Sequence, residues 1–265
     1  MDNRPIGVFD SGIGGLTVLK ELKKYLPYED FIYLGDTARV PYGQKSKKIV
    51  TKYARQIIDF LLTKNVKLVV AACNTVSSNS LDILKRTYSI PIIGVMEPGV
   101  DLAILSTRNH RVGVIGTRAT ISSKAYKKLL LRKNKGLRIM DMACPLFVPL
   151  VEEGWFNNDI SLEVARKYLA HFKKNNIDTL ILGCTHYPML IPVLKKVLKN
   201  TVLINSGVAV SKKVKNILNL KKIQAGTGRE GNQFYFFTDL TPLVKTLGEK
   251  ILKKEIKIIK EVSLK

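Results

Sequence analysis

The chain of 265 residues is poor in several things, and each shortage excludes a class of protein. Three cysteines, Cys73, Cys144 and Cys184, leave an odd number with no C-x-x-C pair, so neither a disulfide framework nor a zinc ribbon is expected. No apolar run approaches the roughly 18 residues that suggest a membrane span, and residues 1–5 carry no basic-then-apolar leader pattern. A cytoplasmic location without a membrane partner is therefore expected. Acidic residues are scarce: 21 Asp+Glu face 44 Lys+Arg, a formal net charge of +23. That balance raises nucleic acid as a partner. Most of the excess, however, is lysine scattered along amphipathic segments such as Lys20-Glu21-Leu22-Lys23-Lys24, with no Arg-rich cluster and no interleaved aromatics. A solvated lysine-rich surface is the favoured reading.

What the chain does have is apolar material, 46% of its residues, arranged in short runs. Ile6-Gly7-Val8-Phe9, Phe31-Ile32-Tyr33-Leu34, Leu68-Val69-Val70-Ala71 and Ile92-Ile93-Gly94-Val95 form one series. Val112-Gly113-Val114-Ile115, Leu137-Arg138-Ile139-Met140, Thr179-Leu180-Ile181-Leu182 and Val202-Leu203-Ile204 form a second. Continuous rather than alternating apolar runs predict strands covered on both faces, as in a parallel α/β sheet. Helical patterns lie between them; the clearest starts at a Ser46 cap and aligns Ile49, Tyr53, Ile57, Phe60 and Leu61. The two series resemble copies of one unit, since the segments around Ile6 and Val70 return around Val112 and Ile181. The fold class is α/β, with two pseudo-symmetric domains of mainly parallel sheet. Breaks near Glu97-Pro98-Gly99 and Ser206-Gly207 divide the chain into residues 1–97 plus 207–265 and residues 98–206. Helical pattern at 208–218 and 242–254 and a strand-like 233–237 would pack back on the first half.

In a parallel α/β sheet, ligands bind beyond the carboxyl ends of the strands. Cys73 and Cys184 both stand there, each expected to precede a helix whose N-terminus lowers the thiol pKa. A lone cysteine at a strand end is more often a small buried hydrophobe, but a matched pair in two repeated halves weakens that reading. Cys144, before Pro145, reads as core. Asp10 lies in the turn Phe9-Asp10-Ser11-Gly12-Ile13-Gly14-Gly15. Its backbone N–H groups suit an anion, while its carboxylate would repel a phosphate and suits an ammonium group or a thiol proton; an Asx-turn role competes evenly. Asp36 also ends a strand, with capping as its leading alternative. The loop Val40-Pro41-Tyr42-Gly43-Gln44 brings N–H groups and the Tyr42 hydroxyl over a ligand, or is a simple Pro turn. His186, two residues past Cys184, is placed to tune a thiol, and Glu152 to orient that imidazole, although a structural role is the default for each.

These segments together resemble the glutamate racemases of the cofactor-independent aspartate/glutamate racemase superfamily. The resemblance rests on residues 7–18, on Gly35-Asp36-Thr37-Ala38-Arg39-Val40-Pro41-Tyr42-Gly43, on Ala72-Cys73-Asn74-Thr75, on Gly94-Val95 and on Leu182-Gly183-Cys184-Thr185-His186-Tyr187-Pro188. It implies an active site at the interface of the two domains, where Cys73 and Cys184 act from opposite faces of the substrate α-carbon, with Asp10 assisting Cys73 and His186, backed by Glu152, assisting Cys184. Asp36 is carried over as a supporting acid near the first thiol. Asp10, Ser11, Tyr42, Gly43, Asn74, Thr75, Thr117, Thr120, Thr185 and His186 match substrate-contact positions. Neither metal nor cofactor is implied, and no lysine stands in a Schiff-base setting. A homodimer and the supply of D-glutamate for peptidoglycan are implied by the resemblance alone. Asn205 stands where the family often has Asp, with a hinge or packing consequence expected. With no long N-terminal extension, control by a peptidoglycan precursor is not expected.

Aspartate racemase is the nearest alternative and differs only in side-chain contacts. A nucleic-acid-binding α/β protein and a one-thiol cysteine hydrolase or transferase are the other classes; the first predicts a steep loss of affinity with salt, the second that only one cysteine matters.

Overall fold

The computed structural model describes residues 1–264. Ten strands run in chain order: β1 (Ile6–Asp10), β2 (Phe31–Gly35), β3 (Leu68–Ala71), β4 (Ile92–Gly94), β5 (Arg111–Gly116), β6 (Arg138–Ala143), β7 (Thr179–Gly183), β8 (Val202–Asn205), β9 (Gln233–Phe237) and β10 (Ile259–Glu261). They form a six-stranded sheet, β10-β9-β2-β1-β3-β4, and a four-stranded sheet, β6-β5-β7-β8. Every pairing is parallel. All eight expected strands of the two series are present, and the order β2-β1-β3-β4 recurs as β6-β5-β7-β8. The internal repeat is thus a repeat of topology.

Why the runs are continuous follows from the pleat, which sends successive side chains to opposite faces. Val70 of β3 joins one core cluster and Val69 the other. In the second sheet Ile181 of β7 faces one cluster while Leu180 and Leu182 face the other. Helices cover both faces, so neither face can be polar. β6 departs from the expectation: at a sheet edge, it has Arg138 and Asp141 exposed and no fully buried residue.

The helix Lys47–Leu62 begins as read, with the Ser46 hydroxyl accepting from the Ile49 N–H. Its buried face is rotated from the expected one. Val50, Ala54, Ile57, Ile58 and Leu61 are buried, whereas Ile49, Tyr53 and Phe60 lie half-buried on its flank. The long aromatic side chains cover the edge of the stripe while compact ones fit beneath the helix.

The tail joins the first sheet: β9 pairs with β2, and β10, unforeseen from sequence, pairs with β9. The helix Ser206–Lys221 sends Val210, Val214 and Leu218 into the core around β1 and β3. Asn205 caps that helix, its Oδ1 accepting from the Gly207 N–H at 2.9 Å, which Asp would do equally well. Beneath this packing is a buried ion pair, Lys67 to Glu29 at 2.6 Å. The same ammonium donates to the Asp2 and Ile223 carbonyls, and Glu29 accepts from the Ala225 N–H, so one charge pair ties the start of the chain and the segment after the Ser206–Lys221 helix to the sheet.

Removing one member of a buried pair strands the other without a counter-charge. Glu29→Leu should therefore lower unfolding free energy by about 3–5 kcal/mol in urea titration; a loss within experimental error would show the pair to be dispensable.

Candidate active site

The carboxyl ends of β1, β3, β5 and β7 open on a cavity of about 400 Å³ between the two sheets. Ser11, Tyr42, Gly43, Cys73, Asn74 and Thr75 line it from the first half, and Thr117, Glu152, Cys184, Thr185 and His186 from the second. A second cleft of about 390 Å³ lies beside Lys47, Asp82, Glu97 and Arg132 and contains neither thiol. The first is the candidate chemical site because both thiols, with the imidazole and a carboxylate, converge on it.

Cys73 caps the helix Asn74–Asn79 and donates its S–H toward Ser11 Oγ at 3.7 Å. The expected lowering of its pKa does not occur. Burial and the neighbouring Asp10 carboxylate push it up to about 12, outweighing the Val76 N–H and Ser11 contacts. A helix of only six residues opposes desolvation weakly. Cys184 directly follows β7, and no α-helix begins there; a turn and the short 3-10 helix Tyr187–Leu190 come next. Its positive neighbour is a side chain instead. His186 Nδ1 lies 3.7 Å from Cys184 Sγ, and Nε2 lies 3.2 Å from Glu152 Oε1. The latter is close enough for an ion pair, although it is not aligned as a hydrogen bond. Burial works against the imidazolium, yet Cys184 and Glu152 together raise the His186 pKa to about 10. Cys144 is fully buried in the core, as read.

Asp10 is fully buried, and its carboxylate takes up the very N–H groups that the Gly-rich turn would offer an anion. Gly12 N–H and Gly15 N–H donate to Oδ2 at 3.2 and 3.0 Å, and the Thr185 hydroxyl reaches Oδ1 at 3.4 Å. Burial raises its pKa, opposed by the His186 charge and these N–H groups. Its influence on Cys73 is through charge, with Ser11 the direct partner of the thiol.

Of the expected residues, Asp10, Asp36 and Thr120 are fully buried and do not line the cavity, and the Tyr42 hydroxyl is already engaged. Asp36 is buried and occupied: it accepts from Arg39 Nε at 2.8 Å, from Thr238 at 2.9 Å and from the Tyr42 hydroxyl. It does not line the cavity. Tyr42 lines the cavity, and its hydroxyl donates to Asp36. Thr120 is fully buried behind Thr75 and Thr117, whose hydroxyls form a cluster with its own at 3.0–3.4 Å.

Sequence reading missed the groups that tie the halves together. The Tyr126 hydroxyl, from the second half, donates to Asn74 Oδ1 at 2.5 Å, leaving the Asn74 amide nitrogen as the free donor. Thr17 reaches the Thr185 carbonyl at 2.8 Å. Val40, Leu146, Val148 and three prolines make an apolar mouth, which Arg118 borders. Val40 and Pro41 belong to the loop read over a ligand, whereas Pro145, Leu146, Val148 and Pro149 were not foreseen. Among the described residues no group of three or more His, Cys, Asp and Glu is placed to hold a metal ion, and no helix is long and apolar enough to cross a membrane.

A family model described as Asp/Glu/Hydantoin racemase matches residues 6–213. A glutamate racemase of Geobacter metallireducens is 46% identical over 262 residues, 98% of this chain and 97% of that one. The crystal structure of glutamate racemase from Francisella tularensis in complex with D-glutamate superposes with a TM-score of 0.92 at 41% identity, covering 99% of this chain and 98% of the other. A glutamate racemase isoform of Bacillus anthracis gives 0.95 at 35% identity, covering 100% and 99%.

Two shifts follow from the charges. Glu152 raises the His186 pKa, so Glu152→Gln should move the imidazole titration, followed by NMR, from about 10 to lower pH. Asp10 disfavours the Cys73 thiolate, so Asp10→Asn should bring the pH midpoint for Cys73 alkylation down from about 12. A midpoint that stays or rises in either variant would contradict the assignment of cause.

Proposed function

Because the chain belongs to the Asp/Glu/Hydantoin racemase family, we propose that it interconverts L- and D-glutamate in the cavity between its two sheets, with Cys73 and Cys184 as the two acid/base groups. One observation carries this reading: two thiols at equivalent strand ends of a repeated fold open on one cavity with different partners. Inversion by proton exchange needs bases on opposite faces, since a single base returning its own proton tends to restore the starting hand.

In the reaction one thiolate removes the α-proton, and the Cα–H electron pair passes into the carbanion and its carboxylate. The opposite thiol then delivers its proton to the other face. The two sulfurs have exchanged protonation states, and the product is the mirror form. The α-proton is weakly acidic, so the carbanion needs positioned donors and exclusion of water. The Asn74 amide, released toward the cavity by the Tyr126 bond, and the Thr75, Thr117 and Thr185 hydroxyls are the donors in this reading. His186, with Glu152 behind it, serves Cys184; Ser11 and the Asp10 charge serve Cys73. Asp36 acts at one remove, holding Tyr42 and Arg39.

The same reading includes a division of the chain into two α/β domains, residues 1–97 plus 207–265 and residues 98–206, at the breaks in the sequence, and a cytoplasmic location. It also includes a homodimer supplying D-glutamate for peptidoglycan. These last two rest on the family.

The test is each enantiomer of glutamate in deuterated water. The wild type should racemise both with deuterium entering at the α-carbon, and Cys73→Ser and Cys184→Ser should each lose about 10²–10⁴-fold in turnover. Full racemisation in either variant, or aspartate turned over faster than glutamate, would overturn the assignment.

A further inference from the structure

None of the turn glycines Gly12, Gly14 and Gly15 has a positive φ, so the backbone there does not itself demand glycine. What demands it is what comes close. A Cβ on Gly15 would lie 2.4 Å from Asp10 Cβ, within the same turn. A Cβ on Gly14 would meet the opposite half of the molecule: Thr185 Oγ1 at 2.4 Å, and His186 Cε1 and Nδ1 both at 2.6 Å. Real Cβ contacts of that length do not occur, so something would have to move. The imidazole is buried between the Cys184 thiol and Glu152, and Nδ1 is the atom that faces the thiol.

From this we propose that Gly14 is a positioning residue for His186: its bare Cα is the wall, supplied by the first half, that holds the imidazole of the second half against Cys184. The proposal rests on the two-thiol reading above only for its effect on turnover; its effect on the imidazole stands independently. A site assembled this way is complete only when the Gly-rich turn is seated against the Cys184 loop. Thr17, three residues on from Gly14, bonds the Thr185 carbonyl at 2.8 Å and fixes that seating.

The test compares Gly14→Ala with Gly12→Ala, because the latter adds the same methyl to the same turn but meets only the tip of Val40, at 3.0 Å. His186 is buried while His110 and His171 are exposed, so its imidazole resonances can be separated by NMR. In Gly14→Ala the His186 titration should move down from about 10, as contact with Cys184 and Glu152 is lost, while in Gly12→Ala it should stay near its wild-type position. Turnover in Gly14→Ala should fall roughly 10- to 100-fold, as expected for a group displaced by about 1 Å. In a background carrying both Thr185→Ala and His186→Ala the same Gly14→Ala change should have a much smaller effect, since both side chains that its methyl would meet are gone. Equal losses in both backgrounds, or an unmoved titration, would overturn the proposal. If Gly14→Ala alone does not fold, the triple variant should, and a triple variant that also fails to fold would overturn it. Glutamate turnover absent from the wild type would sink the racemase reading and leave the titration result standing.

Discussion

The buried carboxylate of Asp10 is the constraint around which the two halves are arranged. A carboxylate with no access to water must have its oxygens satisfied by the protein. Oδ2 takes the N–H groups of Gly12 and Gly15, which bends the chain after β1 into a turn so close that Gly15 has no room for a side chain. Oδ1 takes the Thr185 hydroxyl of the opposite half, and the His186 charge lies near enough to be felt. One anionic group thus shapes the turn, attracts the second half to it and raises the pKa of the Cys73 thiol. The turn resembles a phosphate cradle in sequence and is the reverse in function, because its donors are spent on a carboxylate of its own.

Much of this was legible in the sequence, and the reason is physical. Strands buried on both faces must be apolar without interruption, so the eight of the two series were visible as runs and β9 as a strand-like segment. The repeat made Cys73 and Cys184 a pair in sequence, since the same topology puts equivalent strand ends at equivalent places. The edge strand β6 showed as a run although it is not buried on both faces, and the three-residue β10 gave no signal.

What stayed hidden depended on contacts distant in sequence or on the balance of opposing terms. Asp36 was carried over from the resemblance as a supporting acid near the first thiol, but Thr238, Tyr42 and Arg39 claim its oxygens. With Asp36 so placed, the proton of the Tyr42 hydroxyl is committed to it. Thr120 matched a contact motif, yet it is buried behind the two threonines that reach the cavity. The sign of the Cys73 shift needed two magnitudes weighed, a short helix N-terminus against full burial beside an anion, and only coordinates supply the second. Tyr126 carried no motif at all; its importance is an orientation, the choice of which end of the Asn74 amide is left free.

The repeated fold makes the two thiols equivalent in place, and the proposed reaction needs them unequal in state. A resting racemase requires one sulfur as base and the other as acid. Two thiols in identical surroundings would have no reason to settle into that division. Here the surroundings break the symmetry: Cys73 faces an anion in a buried setting that favours the protonated thiol, while Cys184 faces an imidazole that keeps its proton to about pH 10. Transfer of a proton through the substrate reverses both states, and whenever Cys73 is left as the thiolate it is in the form its neighbours disfavour. The departures from pseudo-symmetry, Asp10 on one side and His186 with Glu152 on the other, therefore bias the pair back toward one starting state. The repeat supplies opposed positions, and the residues that escaped the repeat supply the direction of reset.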